Sequence, residues 1–230
     1  MKKLDILYED NHIIAVNKSA SDIVQGDKTG DETLSDRVKA YIKKKYNKPG
    51  EVFLGVVHRL DRPVSGVVLF ARTSKALSRL NKMFQEKTVK KTYWALVAEL
   101  PESDSGRLVH HILKNSEKNK SYAFPKPRSG SKEAILNYRL VSGLKNYYLL
   151  EVDLETGRHH QIRCQLAKIG CPIRGDLKYG FPRSNKDGSI SLHARKIEFV
   201  HPVKQEPICI VAPTPPTENL WKEFRNVQEQ

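Results

Sequence analysis

His58-Arg59-Leu60-Asp61-Arg62-Pro63-Val64-Ser65-Gly66 is the stretch around which this chain is organised. It lies between two apolar runs, Val52–Val57 and Val67–Ala71, each short, rich in branched residues and bounded by turn formers, and both read as buried strands. Pro63 has no N–H for a strand ladder, and Gly66 permits backbone angles that other residues avoid. The stretch therefore reads as a loop at a strand end that holds Asp61 between Arg59 and Arg62. Neighbouring cations favour the ionised carboxylate, and an anionic Asp on a rigid loop can act as a nucleophile. A salt-bridged turn answers the same features, because structural ion pairs also surround carboxylates with cations.

The rest of the chain bounds the choice. Its 230 residues suit one generous domain or two small ones. With 39% hydrophobic and 29% charged residues, a sizeable core is available. No apolar run approaches the ~20 residues that span a bilayer. Met1-Lys2-Lys3-Leu4-Asp5 is not followed by the apolar stretch of a secretory signal. Cys164, Cys171 and Cys209 form an odd set without CxxC spacing, which fits a cytosolic chain with free thiols. The formal net charge of +14 points to a polyanionic partner, nucleic acid ahead of anionic lipid. A merely soluble basic surface is the plainer reading.

Read in order, Leu4–Lys18 forms a hairpin about Glu9-Asp10-Asn11-His12, and Ser19–Gly30 a loop. Thr33–Tyr46 is a helix with Leu34, Val38, Tyr41 and Ile42 on one stripe. Ser74–Glu86 is a second, with Ser74 as its N-cap. Thr92–Ala98 is a strand, Leu108–Leu113 a short extended segment. Lys114–Lys132, very basic and poor in apolar residues, reads as an exposed loop whose Tyr122 and Phe124 interleave with cations, a pattern suited to stacking on bases. Ala134–Val141 and Tyr147–Leu154 pair as strands. A third helix begins near Arg158 and stops at Gly170. Leu192–Val200 and Pro207–Ala212 are strands, and Thr217 caps a short terminal helix carrying Leu220, Trp221 and Phe224. The sum is an α+β fold, mixed, with a mainly antiparallel central sheet flanked by helices and loops.

Two arginine-bearing segments stand about a hundred residues apart, His58–Gly66 and Gly157-Arg158-His159-His160-Gln161-Ile162-Arg163. Here the chain resembles the RluA-type RNA pseudouridine synthases. The first segment is similar to their HRLD-x-x-[TS]-S-G signature and the second to their G-R-x-H-Q-I-R motif. Lys91-Thr92-Tyr93 matches a basic-x-Tyr motif between them. Gly175-Asp176 with Tyr179-Gly180, Leu192-His193-Ala194 and Phe199-Val200-His201-Pro202 match later blocks in order. Val64 stands where the family has Thr, and Lys18-Ser19-Ala20-Ser21 lacks a usual Pro and Gly.

The resemblance implies a single catalytic domain over residues 1–230, with no room for the S4-like domain of many relatives. It implies isomerisation of uridine to pseudouridine in tRNA or rRNA, with base flipping. Asp61 is the catalytic carboxylate it points to. Tyr93 stacks on the uracil and takes up the C5 proton, and Arg163 pairs with Asp61. Arg59 fills the vacated stack, Ile162 packs against the base, and Arg158 and His160 support the loop. No cofactor is implied. His110-His111 and His159-His160 lack the ligand spacing of a zinc site, so no metal is expected. The expected partner is an RNA stem-loop, not a membrane, and the expected state a cytoplasmic monomer. An RNA-binding protein without chemistry is the competing class, and a two-carboxylate glycosidase a weak third.

Overall fold

The computed structural model describes residues 4–26, 30–216 and 219–224. The chain runs β1 (Ile6–Glu9), β2 (Ile13–Lys18), α1 (Leu34–Lys45), β3 (Gly55–Val56), β4 (Ser65–Ala71), α2 (Ser74–Gln85), β5 (Lys90–Val97) and β6 (Ser105–Asn115). It continues through β7 (Lys120–Phe124), β8 (Lys132–Gly143), β9 (Tyr148–Leu154), α3 (Gln161–Lys168), β10 (Leu192–Val200), β11 (Pro207–Val211) and α4 (Asn219–Glu223). The fold is the expected α+β class, with mainly antiparallel strands. It divides into two compact units, Met1–Val89 with Ala194–Pro213, and Lys90–His193 with Thr214–Gln230.

In the first unit β1 and β2 form the expected hairpin. Asp10 Oδ1 sets its turn by accepting the backbone N–H groups of His12 and Ile13 at 2.8 and 2.9 Å. Thr33 caps α1: its Oγ1 accepts the Asp36 N–H at 3.1 Å, while Asp36 Oδ2 accepts the Thr33 N–H at 3.2 Å. Such a reciprocal box contributes about 1 kcal/mol. Leu34, Val38 and Ile42 are buried as the stripe requires. Tyr41 is only half-buried and gives its O–H to Glu9 Oε2 at 2.9 Å. The cap of α2 is Thr73 rather than Ser74, because Thr73 keeps extended angles and its Oγ1 accepts the Ala76 N–H at 3.2 Å.

Strand β4 is the centre of this unit, and all seven of its residues are buried. β2 pairs along it from Ile13↔Ala71 to Lys18↔Gly66, and β3 and β10 are its other partners. The run Val52–Val57 is not the buried strand expected. Only Gly55 and Val56 pair with β4, and Phe53 is 48% exposed. Beyond Val56 a side chain replaces the strand as acceptor, with His58 Nε2 taking the Leu69 N–H at 2.9 Å. Gly66 has φ +117°, and a Cβ there would lie 2.3 Å from the backbone oxygen of Ala194 in β10. That close approach requires glycine.

In the second unit the strands lie in the order β5-β9-β8-β6-β7, every pair antiparallel. Side chains alternate between faces. On one face Trp94, Leu96 and Leu149 pack with Trp221 of α4 and with Phe224 just after it. Trp94 therefore fills core, while Thr217 lies outside the described residues. On the other face Ile112 and Ala134 pack with Cys164 of α3 and with Tyr179. The register Tyr93↔Val152, Val152↔Tyr138 and Tyr138↔Gly106 puts Tyr93 on this α3 face. Lys114–Lys132 is not a loop throughout: β6 reaches Asn115, and β7 returns as its hairpin partner. Asn119 at φ 43° makes that tight return possible.

Candidate functional site

In the first unit Asp61 sits half-buried in a turn between β3 and β4. The turn is closed by the Val64 N–H, which donates to the Asp61 carbonyl at 3.0 Å. Leu60 and Val64 anchor it on either side, at 8% and 2% exposure. Val64 is thus a buried apolar plug, a role that the isosteric Val fills without a hydroxyl to satisfy. Arg59 is exposed. Arg62 does not flank Asp61 as a paired cation; its Nη2 meets Asp31 at 3.0 Å, with both side chains about half exposed.

The backbone of the turn is held from below. Lys18, 1% exposed, donates from Nζ to the carbonyls of Ser19 and Arg62 at 3.0 and 3.1 Å. The Ser21 N–H donates to the same Arg62 carbonyl at 2.9 Å. The Lys18 ammonium ties the end of β2 to the loop that carries Asp61. His58, stacked on Phe84 with ring centroids 5.3 Å apart, fixes the loop's other end.

In the second unit the candidate residues converge on the N-terminus of α3. The helix starts at Gln161, not near Arg158, because His160 lies in the left-handed region at φ 53° and breaks the run. The side chain of Gln161 keeps the preceding segment non-helical. Its Oε1 accepts from Thr156 Oγ1 and the Arg158 N–H at 2.8 and 2.9 Å, and its Nε2 donates to the Ile135 carbonyl at 3.0 Å. Arg158 is exposed and turns to β8, its Nε donating to the Glu133 carbonyl at 2.8 Å. Ile162 is 4% exposed.

Arg163 is 5% exposed and grips Asp176, itself 1% exposed, through two parallel bonds. Its Nε reaches Oδ2 at 2.7 Å and its Nη2 reaches Oδ1 at 2.8 Å, the fork geometry that only a guanidinium offers a carboxylate. The Tyr179 ring lies 5.1 Å from the same guanidinium. Burial, with Arg163 and His159 nearby, pushes His160 down to about 2, so its imidazole is neutral. Burial pushes the Cys164 thiol up to about 12. Burial also lowers the Lys91 ammonium, and a Cβ on Gly157 would sit 3.5 Å from its Nζ. The basic-x-Tyr and arginine motifs are thus neighbours in this unit.

Three residues with clear work here were not singled out by sequence: Lys18, Asp176 and Tyr179. Asp176 and Tyr179 stand in a quoted block, Gly175–Gly180, but nothing local says that the Asp faces a guanidinium on α3. Lys18 ends an apolar strand, where a lysine ordinarily reaches solvent. No group of His, Cys, Asp and Glu side chains suited to a metal ion occurs among the described residues.

The RNA pseudouridylate synthase family model matches residues 12–168, which include Asp61, Tyr93 and Arg163. An uncharacterised RNA pseudouridine synthase of Synechocystis is 34% identical over 216 residues, 92% of this chain and 66% of that protein. Ribosomal large subunit pseudouridine synthase D of Xylella fastidiosa is 35% identical over 226 residues, with the same two coverages. The chain thus spans just under two thirds of their length. Among solved structures, human RNA pseudouridylate synthase domain containing 4 superposes with a TM-score of 0.79 at 23% identity, over 98% of this chain and 94% of that one.

Proposed function

Because the chain belongs to the RNA pseudouridylate synthase family, we propose that it isomerises uridine in a structured RNA to pseudouridine, with Asp61 as the catalytic carboxylate and both units acting as one catalytic domain. The reaction breaks the bond between N1 and C1′, turns the freed uracil and joins C5 to C1′. The C5 proton leaves and N1 gains one, so no redox partner or cofactor is needed. The observation that carries the reading is the family match over residues 12–168, with Asp61 presented on a turn pinned by Val64, Lys18 and Ser21.

Asp61 would serve by attack on C1′, by attack on C6 or by removal of the 2′ proton. Tyr93 stacks on the uracil and takes up the C5 proton. Arg163 orients the catalytic carboxylate. The uridine must leave its stack to react, so the RNA is bound with that base flipped. Arg59, exposed beside Asp61, fills the gap it leaves. Ile162 packs on the base, while Arg158 and His160 shape the loop under it. The charge of +14 suits a stem-loop of tRNA or rRNA, and the relatives named for the large ribosomal subunit favour rRNA. We assign it to the cytoplasm as a monomer; no described helix is long and apolar enough to cross a membrane.

Mapping pseudouridine in cellular RNA incubated with the wild type and with Asp61→Asn tests this. Modification by the wild type alone supports it, and equal modification by both removes Asp61 from the chemistry. RNA binding with no tritium released from C5-labelled uridine favours a binding protein instead.

A further inference from the structure

Tyr179 lies in a short 3-10 turn, Leu177–Tyr179, and is 8% exposed. Its hydroxyl joins three elements of the second unit. It accepts the backbone N–H of Ser121 in β7 at 2.8 Å and lies 2.9 Å from His160 Nδ1 at the start of α3. A phenol has one proton to give. The Ser121 N–H takes one acceptor site on the oxygen, which leaves the phenol proton free to go to His160 Nδ1. A neutral His160 can accept, and burial and the neighbouring cations keep it neutral. In that arrangement, the one the proposal below requires, His160 carries its own proton on Nε2. Its ring stacks on His159 at 3.8 Å, and His159 Nδ1 meets Ser121 Oγ at 2.8 Å.

The same tyrosine faces Arg163. The ring supports the guanidinium at 5.1 Å, while Asp176, whose carbonyl accepts the Tyr179 N–H at 3.0 Å, holds that guanidinium edge-on. One turn thus fixes Arg163 in plane and against a face. The hydroxyl fixes the turn to the left-handed residue from which α3 begins. Without it the ring still packs, but the buried N–H of Ser121 and Nδ1 of His160 each lose a partner. Residues with this pattern set the direction of another group rather than touch the reactants.

We propose that Tyr179 is the positioning residue for Arg163, acting through its hydroxyl. This rests on the pseudouridine reading above and adds to it a residue that holds the direction of Arg163.

The test has two arms. In the first, wild type and Tyr179→Phe in excess are mixed with cellular RNA carrying 5-tritiated uridine, made in cells lacking this enzyme. The expected result is a tritium-release rate at least about ten-fold lower in Tyr179→Phe, since small misplacements of an active group carry large rate costs. RNA affinity, by filter binding, stays within about two-fold. Equal rates, or a loss wholly explained by weaker RNA binding, overturn the role of Tyr179. No release by the wild type overturns the pseudouridine reading instead. The second arm needs only the wild type: nitrogen NMR of its histidines, with His160 identified by the signal missing in His160→Gln. Neutral His160 protonated on Nε2 and accepting at Nδ1 is expected, and a proton on Nδ1 overturns the proposal whatever the variant does.

Discussion

Lys18 Nζ donates to the carbonyl of Arg62 at 3.1 Å, so a lysine 1% exposed at the end of β2 holds the turn that presents Asp61. Lys18→Met keeps the aliphatic stem but leaves two carbonyls without this donor. Unfolding in urea should show a loss of about 1 kcal/mol, the usual net contribution of such hydrogen bonds. A stability equal to wild type would mean that the ammonium does not hold the loop.

Arg163 and Asp176 are a buried pair, 5% and 1% exposed. Removing one partner of such a pair costs about 3–5 kcal/mol, because the other charge stays buried without its counterpart. Arg163→Ala should therefore destabilise the fold as well as abolish activity. Arg163→Lys should lose less stability yet fail to restore activity, since an ammonium lacks the paired geometry. Denaturant titration beside single-turnover assays separates the two effects.

Gly66→Ala is expected to cost more than about 3 kcal/mol, combining positive-φ strain with a backbone clash that no rotamer relieves. The Cβ would lie 2.3 Å from the Ala194 oxygen at φ +117°. Soluble yield and melting temperature report it; a wild-type melting temperature would contradict the approach of β10 to β4.

Acid stability should depend on Asp10. Burial works against its charge, but the N–H groups of His12 and Ile13, with Lys204 and His201, hold its carboxyl down at about 2 against an ordinary 3.8. Between those values the unfolded chain takes up a proton that the folded one refuses. The stabilisation is thus complete above about pH 4 and is lost as pH falls towards 2. Melts of wild type and Asp10→Asn should converge through that window and differ most above it.

Native alkylation should reach Cys209, which is exposed, well before Cys164 or Cys171, which are buried. The Cys164 thiol, pushed up to about 12, supplies almost no thiolate at neutral pH. Peptide mass spectrometry after brief iodoacetamide treatment gives the order directly.

The hairpin, the stripe of α1 and the long strands were legible because local pattern and final packing agree. So were the two motif segments, whose residue types are rare enough together to carry meaning. The start of α3 was not legible: helical spacing continues upstream of Gln161, and only the side-chain bonds of that residue and the φ of His160 stop it. β7 was hidden among the cations of Lys114–Lys132, because its one buried polar residue, Ser121, gives no apolar signal. Asp176 and Lys18 were unreadable for a common reason. Each is defined by a partner that sequence places elsewhere, and a single charge does not announce what it will face.

The contact between Gly66 and Ala194 has a consequence for the chain as it is made. Strand β4, Ser-Gly-Val-Val-Leu-Phe-Ala, is buried throughout in the finished fold. Yet its neighbour β10 follows only after all of Lys90–His193. Synthesis proceeds at roughly 5–20 residues per second, so a sticky, half-paired strand stays open on the ribosome for seconds. The Asp61 turn at its head is unfinished for the same interval. A nascent chain should therefore depend on chaperone cover, and should gain its chemistry only when β10 closes that edge.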